Sequence, residues 1–325
     1  MSDIKPIFIL SLPRSGSTLL QKMLSADNDV ASTAEPWILL PSLYALRKDG
    51  ISAEYGHRVL VNGIEDFVSG LPHGQADYFS AIGGMMLGLY GRYAGNGEKY
   101  FLDKTPRYHL VAKDIMSVFP EAKIIVLWRN PLSVIASMIK TWGAGSWNIY
   151  AYKVDLYRGV ENLLEFCRNN PEKICVVQYE DLVMNSDKTF QRIRQYIGLK
   201  KENDSIPDIA NVNLLGRLGD PTGTKKYKHI EAGSVSNWQK VINNPLRRLW
   251  CKRYLRWLGR RRLQLMGYDY DSLLDEINSL PFSLNGLVGD IFAMSVGVVH
   301  CLFEPAIIKK KLRFLREFRN VFKYS

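Results

Sequence analysis

The chain has 325 residues, 46% hydrophobic and 23% charged, a composition that can bury a large core and excludes a disordered or collagenous chain. Its formal charge of +11 is placed late: residues 245–262 carry eight Lys/Arg and no acid, residues 309–325 carry seven against the single Glu317, and the remainder is near −3. That placement speaks against a nucleic-acid-reading surface, and the four cysteines form no CxxC pair and no zinc-like spacing.

In chain order, residues 7–11 form an apolar run expected to be a strand, and the pattern over 17–26 is helical. A weaker strand is expected at 29–33 and a helix at 36–48. A second weak strand at 99–102 precedes a helix over 107–118. The β-branched run 123–128 reads as a strand and 131–141 as a helix, with Asn130 as its cap and Pro131 in its first turn. One helix is expected over 149–169 and a strand over 173–179. Strands alternating with helices predict an open parallel sheet with helices on both faces, its ligands gathered at the carboxyl ends of the strands. Residues 203–237, rich in Gly, Thr and Lys, read as a long loop, and 245–325 as mainly helical. The run 287–303 is apolar, but Asp290 and His300 interrupt it and it is short for a membrane span, so it reads as a buried or interfacial helix. The expected organisation is one domain over 1–282, with a basic helical extension over 283–325 packed on or near it. The first loop starts about a dozen residues in, leaving no room for a signal peptide. With the cysteine pattern, this makes the expected setting cytoplasmic, with the basic segments available to the inner membrane surface.

The stretch Pro13-Arg14-Ser15-Gly16-Ser17-Thr18 joins the first strand to the first helix. Such a junction aims backbone N–H groups and a helix N-terminus at an anion. Gly16 lets the chain turn tightly, the Ser and Thr hydroxyls donate, and Arg14 adds a forked cation. The loop lacks the Lys and the length of a nucleoside-triphosphatase loop, which weighs against an ATP-dependent P-loop kinase. The other alternative is a nucleotide-binding adaptor at a membrane surface, without catalysis. A second anion grip is read at Arg129, which ends the strand 123–128, and at Ser137, two turns along the next helix.

PRSGST, DKTP, RNPxxVxxS and YEDL, in this order over roughly residues 5–242, resemble the sulfotransferase family that uses 3′-phosphoadenosine 5′-phosphosulfate (PAPS) and releases 3′,5′-ADP (PAP). The resemblance implies a P-loop-like α/β fold, and the chemistry of sulfuryl transfer by itself demands no metal. The resemblance implies that Arg14, Ser15, Gly16, Ser17, Thr18 and Leu19 hold the 5′-phosphosulfate, and that Arg129 and Ser137 hold the 3′-phosphate. It further implies that Tyr179 flanks the nucleotide and that Lys228, ten residues before Trp238, binds it as in the tyrosylprotein branch. Two departures stand out. Cytosolic members place a histidine two residues after Lys104, where this chain has Pro106, and an Arg-Lys-Gly triplet where it has Glu231, Ala232 and Gly233.

Sulfuryl transfer needs a base for the acceptor proton and cations for the leaving oxygen. Glu35 is the candidate base, as the resemblance also implies, with His109 the runner-up and more simply a structural histidine. Lys104 and Arg14 are the candidate cations. The aromatic stretch 141–152 offers Trp142 and Trp147, with Trp37 beside Glu35, as walls for an acceptor. Trp37 stands where the tyrosylprotein branch keeps an arginine. The expected acceptor is therefore a hydroxyl of a carbohydrate, glycolipid or small molecule rather than a tyrosine.

Overall fold

We describe a computed structural model of the chain over residues 4–48, 56–95, 97–199, 207, 209–210, 212–216, 235–303, 308 and 312. Lys228, the triplet at 231–233 and most of the basic segment 309–325 lie outside the described residues. Five strands, β1 (Lys5–Ser11), β2 (Val30–Ser32), β3 (Tyr100–Asp103), β4 (Lys123–Trp128) and β5 (Ile174–Gln178), form one parallel sheet in the order β2-β3-β1-β4-β5. β1 and β4 are near-continuous apolar runs because each is covered on both faces. Along β1, Phe8 and Leu10 enter the core that also holds Ile124, Val126 and Trp128, while Ile7 and Ile9 enter the opposite core with Ile125 and Leu127.

Helices α1 (Ser17–Ser25), α8 (Tyr179–Met184) and α9 (Ser186–Ile197) cover the second face, through Leu20, Leu182 and Ile193 among others. The first face is covered by α2 (Leu39–Tyr44), α4 (Gln75–Ala94), α5 (Ala112–Val118), α6 (Pro131–Trp142) and α7 (Val160–Asn169), with α3 (His57–Ser69) packed on α4. Beyond the sheet come α10 (Trp238–Val241), α11 (Pro245–Met266), α12 (Tyr270–Ser279) and α13 (Leu287–Phe303). No described helix is long and apolar enough to cross a membrane.

Three departures from the sequence reading have physical causes. Helices α3 and α4 were not expected. The α4 sequence carries Gly83, Gly84, Gly88 and Gly91, each unfavourable in a helix by about 1 kcal/mol against Ala. Gly83 is there for contact: a Cβ on it would sit 2.9 Å from the Val118 carbonyl oxygen. The helix expected at 36–48 begins only at Leu39, because Trp37 adopts a left-handed φ of 61°. The single helix expected over 149–169 is a 3₁₀ turn (Ile149–Tyr152), a π turn (Val154–Gly159) and then α7. At Gly159 a Cβ would crowd Leu12 and the His109 ring at 2.9 and 3.1 Å.

Candidate active site

The sheet order decides where the polar motifs meet. β1 is central, with β3 on one side and β4 on the other, so the loop leaving its carboxyl end is bracketed by Lys104 after β3 and Arg129 after β4. Glu35 follows β2 and Tyr179 follows β5. A cavity of about 340 Å³ opens at this edge, and Arg14, Gly16, Ser17, Thr18, Glu35, Trp37, Lys104, Arg107, Trp142 and Tyr152 are among its lining residues.

Arg14 and Gly16 both have positive φ, 68° and 89°, and turn the loop so that α1 starts with its N-terminus toward the cavity. The first N–H groups of a helix have no carbonyl partner inside it, so this end of α1 is built to meet an anion. Left-handed backbone in a residue with a Cβ costs about 1–2 kcal/mol, and of the three non-glycine residues in that state among the described residues two, Arg14 and Trp37, line the cavity. Arg14 Nε donates to Ser137 Oγ at 3.2 Å, and its guanidinium lies 5.9 Å from the Trp142 ring centre. Arg129 Nη1 donates to the carbonyl oxygen of Arg14 at 3.0 Å. The loop thus joins Arg129 and Ser137, residues more than a hundred positions away in sequence.

On the opposite side, Lys104 Nζ donates to Glu35 Oε1 at 2.8 Å, with side chains only 2% and 11% exposed. Trp37 Nε1 donates to Glu35 Oε2 at 3.3 Å, so both carboxylate oxygens are held. Trp37 is itself fixed by its backbone N–H on Thr105 Oγ1 at 3.2 Å. The partner of Lys104 is therefore Glu35 rather than a neighbouring aspartate. Asp103 turns the other way and accepts from Tyr90 and Tyr108 hydroxyls at 2.7 and 2.9 Å. Complete burial pushes the Asp103 carboxyl up to about 6, against the opposing pull of those hydroxyls, Thr105 and the Lys104 charge.

Arg129 and Ser137 contact the loop through Arg14 without being among the residues that line this cavity, and not every other expected residue reaches the cleft. Trp147 does not: it is fully buried, edge-on to Trp250, with the Arg247 guanidinium over its ring at 5.3 Å. Its alternation in the aromatic stretch looked like Trp142's, but only Trp142 ends a helix at the cavity. Tyr179 is 1% exposed, sits beneath the loop with the Arg129 guanidinium 4.3 Å from its ring centre, and is not among the residues that line the cavity. Ser15 and Leu19 are likewise buried, Leu19 in the core beneath α1. His109 is buried behind the cleft, with Nε2 2.9 Å from Asp155 Oδ1.

Arg107 is the cavity residue that sequence reasoning missed. Its Nε lies 3.0 Å from the same Asp155 oxygen, so the π turn carrying Asp155 braces a cation at the cavity wall. The signal was its place directly after DKTP, but nothing local distinguishes it from a solvated arginine. Among the described residues no group of three or more His, Cys, Asp and Glu side chains is arranged to hold a metal.

The profile of the Sulfotransferase family matches residues 6–203. Nodulation protein NoeE of Sinorhizobium fredii (strain NBRC 101917 / NGR234) is 28% identical over 270 residues, 74% of this chain and 62% of NoeE. Protein-tyrosine sulfotransferase 1 of Danio rerio is 26% identical over 249 residues, 73% of this chain and 66% of that protein. The chain thus spans less than two thirds of the length of either relative. The sulfotransferase domain of the Synechococcus PCC 7002 olefin synthase superposes with a TM-score of 0.51 at 25% identity, covering 74% of this chain and 89% of that domain. The sulfotransferase domain of the curacin biosynthetic pathway gives 0.51 at 23% identity, over 73% and 91%, a likeness of fold.

Proposed function

Because the chain belongs to the sulfotransferase family, we propose that it transfers a sulfuryl group from PAPS to an acceptor hydroxyl and releases PAP. The observation that carries this reading is the joining of two anion grips, Arg14 bonded through its side chain to Ser137 and through its carbonyl to Arg129. An adenosine phosphorylated at the 5′ and 3′ positions asks for two cationic donor sets in one cleft, and these residues have that chemistry. When bound, PAPS supplies an activated sulfuryl group with a phosphate oxygen as its leaving atom.

The roles then fall to this chain's own groups. Arg14, Ser17, Thr18 and the N-terminus of α1 hold the 5′ end, and Arg129 with Ser137 holds the 3′-phosphate. Glu35, fixed at both oxygens and lining the cavity, takes the proton from the acceptor hydroxyl. Lys104 and Arg14 offset charge on the leaving oxygen, and the hydrogen bond from Lys104 fixes the position of the Glu35 carboxylate at the cavity. Trp37, Trp142 and Tyr152 wall the acceptor side. Apolar and aromatic walls of this kind suit a sugar ring or a lipid-linked glycan, so a carbohydrate or lipid-linked hydroxyl is the favoured acceptor.

Calorimetry with 3′,5′-ADP, 5′-AMP and ATP tests the donor. The bisphosphate binds most tightly, and Arg129→Ala erases its advantage over 5′-AMP. Glu35→Gln tests the base: transfer falls about 10²–10⁴-fold with 3′,5′-ADP affinity kept. Retained transfer in that variant removes Glu35 from the mechanism, and preference for ATP removes the donor.

A further inference from the structure

Helix α13 is built inside out. Asp290, Ala293, Met294 and Gly297, at i, i+3, i+4 and i+7, face the domain. Asp290 reaches Arg247, and a Cβ at Gly297 would lie 2.4 Å from the Tyr150 ring. Turned to the outside are Val288 (82% exposed), Ile291, Phe292 (71%), Val296, Val298 and Val299, and Phe282 and Leu284 extend the same character before the helix. A solvated helix shows its charged face to water, and this one shows its apolar face. Contiguous apolar exposure of this kind marks an interaction surface.

Charge around the patch selects the occupant. An apolar cavity of about 370 Å³ lies beside α13, lined by Met294, Val298, Tyr150 and Trp250, with the exposed Lys153 among its lining residues. Arg253, three residues on from Trp250 in α11, is exposed. Residues 309–325, which follow the helix, add seven Lys/Arg against one acid. A second copy of the chain on this face would bring two cationic rims together, whereas an anionic surface neutralises one.

We propose that the outer face of α13 lies in the interfacial layer of an anionic lipid bilayer. The helix spans 17 residues, a length of roughly 25 Å that lies in the membrane plane rather than crossing it. Apolar side chains enter the acyl boundary, and Lys153 and Arg253 meet the headgroups.

Co-sedimentation of the full chain tests this with phosphatidylcholine vesicles, with and without roughly a third phosphatidylglycerol, at two salt concentrations. The chain binds the anionic vesicles, binds the neutral ones about tenfold or more weakly, and is released by salt. Val288→Glu/Phe292→Glu lowers partitioning to anionic vesicles about tenfold or more. Both positions face outward, so 3′,5′-ADP binding and the circular dichroism spectrum of that variant stay those of the parent. Absence of vesicle binding at low salt overturns the proposal, as does binding that the double substitution leaves intact. A dimer in light scattering that the substitution dissociates assigns the face to a second copy and overturns it too. Vesicle binding that appears only after deletion of 309–325 assigns the face to the chain's own C-terminal segment, with the same consequence. Loss of 3′,5′-ADP preference leaves this inference standing, since no residue of the patch belongs to the cleft.

Discussion

Gly16 shows how tightly one position governs the cleft. Its φ of 89° is open to glycine at little cost, and a Cβ there would lie 2.2 Å from a Tyr179 ring carbon. Tyr179 cannot step aside, because it is buried and the Arg129 guanidinium rests on it. Gly16→Ala therefore meets strain and overpacking together, a loss of about 2–4 kcal/mol read from the urea midpoint, with weakened 3′,5′-ADP binding. Arg14→Gly separates the two effects. Glycine adopts the φ of 68° without penalty, so stability changes by less than about 1 kcal/mol while 3′,5′-ADP affinity drops at least about tenfold. A stable Gly16→Ala protein, or an Arg14→Gly protein of undiminished affinity, contradicts this account of the loop.

Strands and the residues directly after them were readable from sequence, and contacts made across the fold were not. β1 and β4 announce themselves through unbroken apolar runs, and a parallel sheet turns Arg14, Lys104 and Arg129 into neighbours because each follows a strand end. Nothing local says that Trp147 packs against Trp250, that Tyr179 props the loop, or that Asp155 braces Arg107, since each depends on a partner far along the chain. The glycines of α4 hid a helix whose close approach to Val118 is the reason for one of them. The end of β3 carries a consequence of burial. Asp103 is pushed up to about 6 in the folded protein, above its ordinary value of 3.8. Between those pH values the folded chain holds more proton than the unfolded one, so the Asp103 contribution to stability falls as pH rises from 4 to 6, by on the order of 3 kcal/mol in full. Denaturant midpoints measured across that range fall more steeply for the parent than for Asp103→Asn. Equal slopes mean that Asp103 titrates at its ordinary value.

The whole molecule depends on how the C-terminal helices are fastened, and the long basic segment 245–262 divides in that light. Arg247 is buried rather than displayed: its Nε and Nη2 donate to Asp290 Oδ2 and Oδ1 at 2.6 and 2.8 Å, and Nη1 and Nη2 also reach the carbonyls of Val241 and Gly145. Asp290 accepts in addition from Asn244 Nδ2 at 2.6 Å and from the Trp147 backbone N–H at 3.2 Å. This network ties α13 to the start of α11 and to the turn after α6. Arg260 instead pairs with Asp271 at the surface, where water and salt screen the attraction. Arg247→Ala leaves the Asp290 carboxylate buried among weaker donors, a loss of about 3–5 kcal/mol. Arg260→Ala leaves the unfolding midpoint unchanged within error. Replacing both buried partners, Arg247→Met with Asp290→Leu, removes the stranded charge and recovers much of the loss, because a buried ion pair repays little more than its own desolvation. Urea midpoints of the parent, Arg247→Met, Asp290→Leu and the double variant close the cycle. Should Arg247→Ala and Arg260→Ala cost the same, α13 is held by its apolar contacts alone.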